Sequence, residues 1–489
     1  MRRDLGLYVL SYLLPGVAGC AQLAGLEETS GDGRTGVSLT IERVSIGATV
    51  VHAPLDLTGH SARYLVPDDL DPSGLTRVEA TQDEVGTWTA DIFNATPPVL
   101  FDLPEFPAPI QRLWDYSNKT VLGSFGVLEH PDPLPAPVNA TLTVNVALDA
   151  PYTGVEAYQL FTLGSWNVRG LEPPVVGATA VAPLPFLMTS MQSTTGRPHE
   201  KITSDDSAVV LRYVGNDLTG AVEIAPFDQT GNDMLTGTLA PVPHDRMLDV
   251  RIDQPAIATR FSAARPAVAN VAVSWDLRAA PGFAYNQNLG PVLQAVAVAP
   301  ADTMIQVPYG NPFDAKGWKA TLSWSTRAIR VFTPANQQLT ATLSAGMVQR
   351  AADPAAGLVL DLPAGLPELI TLDGMPLSSD GIPITAPTHA IEVSFVSDRQ
   401  EGTLYQLQVF ELVPNAAGTA LDLVQRLSAS GTQPKFTLPP EVLQRGKNYT
   451  LRAVNIVGGF PSIADGNLQA RELPIAQSFL DSGVIEVMP

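Results

Sequence analysis

From residue 37 onward, apolar and polar residues alternate along the chain. In ATLTVNVAL (140–148), Leu142, Val144, Val146 and Leu148 fall on one side, and Thr141, Thr143 and Asn145 on the other. Such a period of two belongs to a half-buried strand. It recurs at Trp88, Ala90 and Ile92, at Val271, Val273, Trp275 and Leu277, at Ile391, Val393 and Phe395, and at Tyr405, Leu407 and Val409. Turns rich in Pro and Gly bound these runs, as in PAAGLVLDLPAGLP (354–367). Many short strands between such turns predict an all-β chain of tandem β-sandwiches. No long segment keeps a clear helical period, and none alternates strands with long helices, so parallel α/β folds are disfavoured.

Proline-rich stretches at 129–139, 239–245, 298–302 and 381–389 mark the expected boundaries, because proline removes backbone donors and stiffens a linker. They divide the chain into a β-sandwich over 37–130, a second over 139–240, a β-rich unit over 241–386 and a last unit over 387–489.

The start of the chain has another character. Arg2 and Arg3 precede an apolar run from Leu5 to Leu14, which Pro15 and Gly16 end. The run is too short to span a bilayer and reads as the apolar core of a signal peptide, residues 1–19. Cys20, the single cysteine among 489 residues, follows. Val17-Ala18-Gly19-Cys20 resembles the lipobox of bacterial lipoproteins. That resemblance implies cleavage before Cys20, acylation of its sulfur and a lipid-anchored new N-terminus. Two or more acyl chains give stable anchoring. Ala21 stands where an Asp would resemble an inner-membrane retention signal, so the outer membrane is the expected location. Residues 21–36, with Gly31, Gly33 and Gly36 among polar neighbours, read as a tether spanning at most roughly 50 Å.

The last unit carries a second resemblance. HAIEVSF (389–395), YQLQVFEL (405–412) and FTLPPEVLQRGKNYTLRAVN (436–455) resemble a fibronectin type III module through Leu443, Gly446, Tyr449, Leu451 and Ala453. Phe395 stands where such modules often have tryptophan. The resemblance implies an immunoglobulin-like sandwich in which Tyr449 is a corner tyrosine whose hydroxyl meets backbone. Alternation there points Leu451 and Ala453 inward and Thr450 and Arg452 outward.

Composition narrows the function. The net charge is −20, with 49 acidic and 29 basic residues, and no basic stripe is present, so nucleic acid is not an expected partner. Charged residues make up 16%, below the usual ~25%, which suits strands and turns faced with Thr, Ser and Asn. No G-x-S-x-G elbow, phosphate-binding loop, H-E-x-x-H or paired C-x-x-C occurs, and His52, His60, His199 and His244 form no zinc pattern.

Two features carry candidate chemistry. In PDDLDPSGL (67–75), Asp69, Asp71 and Ser73 alternate ahead of Gly74, as oxygens do at the start of an EF-type calcium loop. Ala80 occupies the twelfth position, where a bidentate Glu belongs, and Glu79 is one place early. The same residues also read as a solvated acidic turn. DQTGND (228–233) is similar. In GWKATLSW, Trp318 and Trp324 share a face with Ala320 and Leu322, which favours a core over a sugar platform.

The expectation is a lipid-anchored, non-catalytic cell-envelope protein that touches the bilayer through Cys20 and binds envelope proteins or extracellular polymers. A carbohydrate-binding or adhesion module, needing an exposed aromatic pair, is the alternative. A hydrolase with two facing carboxylates is a third reading.

Overall fold

The computed structural model describes residues 34–46, 50–54, 63–68, 70–84, 87–93, 99–102, 112–115, 119–123, 127–128, 136–163, 167–193, 201–204, 207–264, 269–281, 290–297, 303–335, 337–352, 358–360, 364–377, 381–398, 404–459 and 473–489. Cys20, most of the tether and Asp69 lie outside them. The fold is all-β.

Residues 141–241 form a sandwich. Thr141–Ala147 pairs antiparallel with Pro185–Leu187 and parallel with Asn232–Thr238. The facing sheet joins Asn167–Leu171, Glu156–Thr162, Ala208–Val214 and Asp217–Ile224. Leu142, Val144 and Val146 point inward as their alternation requires, and meet Tyr158, Leu160, Val210, Ile224 and Leu235. The facing sheet is also apolar on its far side, where Phe161, Val209, Leu211 and Leu218 belong to the next core. A run such as AVVLRYV (208–214) is the mark of a strand covered on both faces.

The next unit stacks Arg246–Ile252, Thr303–Tyr309 and Leu358–Leu360 against a sheet of long strands, Val292–Ala297, Ala269–Pro281, Trp318–Phe332 and Ala341–Ala352. Trp275 lies opposite Trp324, and Leu277 opposite Leu322. Trp275, Trp318 and Trp324 are all buried, as is Trp88 nearer the N-terminus. The helix Gln254–Ala264 contributes Ile257 and Phe261 to this core. Asp253 caps it, accepting from Ala256 N at 3.0 Å, and Pro255 sits in its first turn, where a missing N–H costs nothing.

In the last unit, Pro367–Leu372, Ile391–Ser397 and Lys435–Leu438 form one sheet. Leu421–Gly431, Leu404–Pro414, Asn448–Gly458 and Ile475–Asp481 form the other. This sandwich therefore draws its first strand from ahead of residue 387. Phe395 packs between them on Phe436 and Tyr405. Tyr449 is 1% exposed, and Gln444 N donates to its hydroxyl at 3.1 Å.

Thr450 and Arg452 do not face solvent. Thr450 is fully buried and donates to Ser482 O at 3.2 Å. Arg452 lies under the rings of Phe410 and Phe479 and binds Asp481. Ala345–Arg350, from the preceding unit, pairs with Ile475–Leu480 and extends this sheet beside Asp481, the carboxylate that holds Arg452.

That ladder is one link of a longer one. Twenty strands join through successive pairings that run from unit to unit. Asp217 bridges to Gln294, and Ser428–Ser430 pairs in parallel with Leu113–Asp115 of the N-terminal part. There, Arg34–Ile46 pairs with Val50–Pro54, Thr87–Phe93, Lys119–Gly123 and Val127–Leu128. No helix among the described residues is long and apolar enough to cross a membrane.

Candidate functional site

The acidic loop joins the strands Arg63–Pro67 and Leu75–Glu79, with Pro67 opposite Leu75. Backbone bonds close it: Asp68 N donates to Gly74 O at 3.0 Å, and Gly74 N to Asp71 O at 2.8 Å. Gly74 has φ +75°, a left-handed conformation that glycine adopts at no steric cost.

The loop's carboxylates turn inward on its own donors. Asp68 Oδ1 accepts from Leu70 N at 2.9 Å, and Oδ2 from the Thr76 hydroxyl at 2.5 Å. Asp71 Oδ1 accepts from Ser73 N at 2.7 Å and from the Ser73 hydroxyl at 2.6 Å. The Thr76 bond holds the Asp68 carboxyl below the usual carboxylate range, and the Ser73 hydroxyl does the same for Asp71. Asp71 and Ser73 are thus brought together, but by a bond between them rather than as parallel oxygens around a point. Asp69 lies outside the described residues. Among those that are described, no group of three or more His, Cys, Asp or Glu is placed to hold a metal ion.

The loop also docks on the last unit. Ala390 N donates to Ser73 O at 3.0 Å, and Arg77 reaches Glu441 at 2.6 Å. Between them runs an open groove of about 410 Å³ lined by Asp71, Ser73, Leu75, Thr76, Arg77 and Glu441. Its charges are solvent-screened, so the Arg77–Glu441 pair adds little to stability. What the groove offers is an open surface bearing charges of both signs where two parts of the chain meet.

Sequence reasoning found Asp71 and Ser73 but not Asp68, Arg77 or Glu441. Asp68 and Leu70 have the two-residue spacing of an Asx turn, which was available as a signal. The Arg77–Glu441 contact joins residues 364 positions apart and had none. The four tryptophans placed above are spent in cores. The side chains of Trp114 and Trp166 lie outside the description.

No family model matches this chain, and no curated protein does. Among solved structures, a Streptococcal ancillary pilin aligns over 67% of this chain and 98% of its own, at 11% identity and a TM-score of 0.12. At that score the likeness carries no argument about fold or function.

Proposed function

We propose that this chain is a lipid-anchored scaffold of the bacterial cell envelope, held by an acylated Cys20 and serving a structural or interaction role without catalysis. The placement rests on the lipobox-like Val17-Ala18-Gly19-Cys20 after a short apolar run. The scaffold role rests on one structural observation, the branched hydrogen-bonded network of twenty strands that ties successive units together. A network of that kind suits a part that holds surfaces at a fixed distance from a membrane. Its partners on this reading are envelope proteins or extracellular polymers, and the outer membrane is its site. The acidic balance of the chain repels anionic headgroups, which leaves attachment to the acyl chains.

Growing cells with a labelled fatty acid tests the anchor. Wild-type protein takes up label and fractionates with membranes. Cys20→Ala takes up none and is released. Equal labelling of the two proteins contradicts the proposal.

A further inference from the structure

Two loops meet at one end of the sandwich of residues 141–241. Tyr152 N donates to Ala178 O at 2.9 Å, and Gly177 N donates to Tyr152 O at 2.8 Å. Thr153 N and Val155 N donate to the Glu156 carboxylate at 3.1 and 3.2 Å. Pro151, Pro173 and Pro174 have no N–H to satisfy. Tyr152, packed on Tyr158, roots the pair of loops in the core of the sandwich.

The valines of these loops stand outside that core. Val155, Val175 and Val176 are 67%, 80% and 72% exposed. They are neighbours, for Val176 lies beside Gly154, where a Cβ would meet its Cγ2 at 3.4 Å. Clustered exposed apolar side chains mark an interaction surface. This one lacks the Trp, Tyr and Arg anchors that dominate protein interfaces. A lipid surface needs no such anchors. It needs apolar side chains on a backbone whose polar groups are bonded internally, and these loops supply both. Residues 148–157 and 172–181 contain no Lys or Arg to draw an anionic headgroup. Asp149 pairs with Arg212, Glu156 binds its own loop, and Glu172 is exposed.

We propose that this valine tip dips into a zwitterionic lipid surface as a shallow second contact, fixing how the protein stands on its anchor. The inference rests on the lipid-anchored reading above. An acylated Cys20 with a tether of at most roughly 50 Å keeps the tip at high effective concentration beside the bilayer. The acyl chains carry the attachment, and the tip sets the orientation.

The lipidated full chain in phosphatidylcholine vesicles tests it, with a spin-labelled phospholipid as shallow quencher. A fluorophore goes on Ala150→Cys, in the same pair of loops, or on Val138→Cys. Val138 is exposed at the other end of the strand Thr141–Ala147, roughly 20 Å away. Acylated Cys20 takes no label. The Ala150 position should lose about half its emission to the quencher and the Val138 position little. Val155→Ser, Val175→Ser and Val176→Ser together should cut that quenching by roughly 5-fold while the protein still floats with the vesicles. Protein that does not float with vesicles overturns the anchor and this proposal together. Floating protein whose Ala150 label stays bright, or is quenched equally with and without the serines, overturns the tip contact alone. In that case a difference in sedimentation between the two proteins would assign the valines to contacts between copies.

Discussion

Arg452 and Asp481 close the seam between the last two units: Arg452 Nε donates to Asp481 Oδ1 at 2.6 Å, and a terminal guanidinium nitrogen to Oδ2 at 3.1 Å. Asp481 is fully buried, and its Oδ2 also accepts from Ser344 N, across the seam, at 2.7 Å. The guanidinium carbon lies over the rings of Phe410 and Phe479, 4.9 and 4.7 Å from their centres. Removing the cation leaves a buried carboxylate short of a partner. Arg452→Ala should cost about 3 kcal/mol, the low end for a broken buried pair, because Ser344 N still binds Asp481. Arg452→Lys should recover only part of this, since an ammonium lacks the flat fork. Denaturant titration of both variants reads the difference.

Gly346 lies beneath the same stack. A Cβ there would meet the Phe479 ring at 2.5 Å and Thr326 O at 3.1 Å. Gly346→Ala should therefore destabilise by about 1–3 kcal/mol, as overpacking does. In a Phe479→Leu background the penalty should shrink, because the ring that clashes is gone. A double-mutant cycle measures that coupling, and strict additivity would contradict the contact.

Tyr449→Phe keeps the buried ring and removes the acceptor of Gln444 N. Gln444 is exposed, so water can replace much of the lost bond, and the cost should be about 1 kcal/mol. Tyr449→Ala also opens a cavity and should cost about 3–5 kcal/mol by analogy with other large aromatics. Near-equal losses for the two variants would show that the ring does little.

The Asp68 and Asp71 carboxyls lie below their ordinary range, held there chiefly by the Thr76 and Ser73 hydroxyls. A depressed carboxyl contributes above its ordinary range and loses that contribution as pH falls through the lowered value. Carbon NMR of the two side chains should show titration midpoints below those of free Asp. Thr76→Val should raise the Asp68 midpoint alone. Added calcium should move neither signal; a saturable shift would mean that an ion displaces Ser73 and Thr76.

Much of the fold was legible because strand alternation records burial directly. Leu142, Val144 and Val146 face a core, and Trp88, Trp275, Trp318 and Trp324 are buried beside apolar neighbours. What stayed hidden arises between units. Thr450 and Arg452 read as solvent-facing because nothing local reveals the partners that hold them, Ser482 and Asp481, some thirty residues further along the chain. The helix Gln254–Ala264 was missed because only Ile257 and Phe261 mark its inner face, although Asp253 and Pro255 signal its start. The acidic loop was visible as a cluster of oxygens, but its internal bonds depend on turn geometry that composition does not carry.

Protection of the backbone amides between Ala345–Arg350 and Ile475–Leu480 tests the scaffold most directly, because this ladder runs between the last two units. Native-state hydrogen exchange reports the free energy of each opening. If the units form one scaffold, these amides exchange as slowly as those between Leu404–Pro414 and Asn448–Gly458, inside the last sandwich. Rapid exchange along the seam, with the sandwich interior still protected, would contradict it.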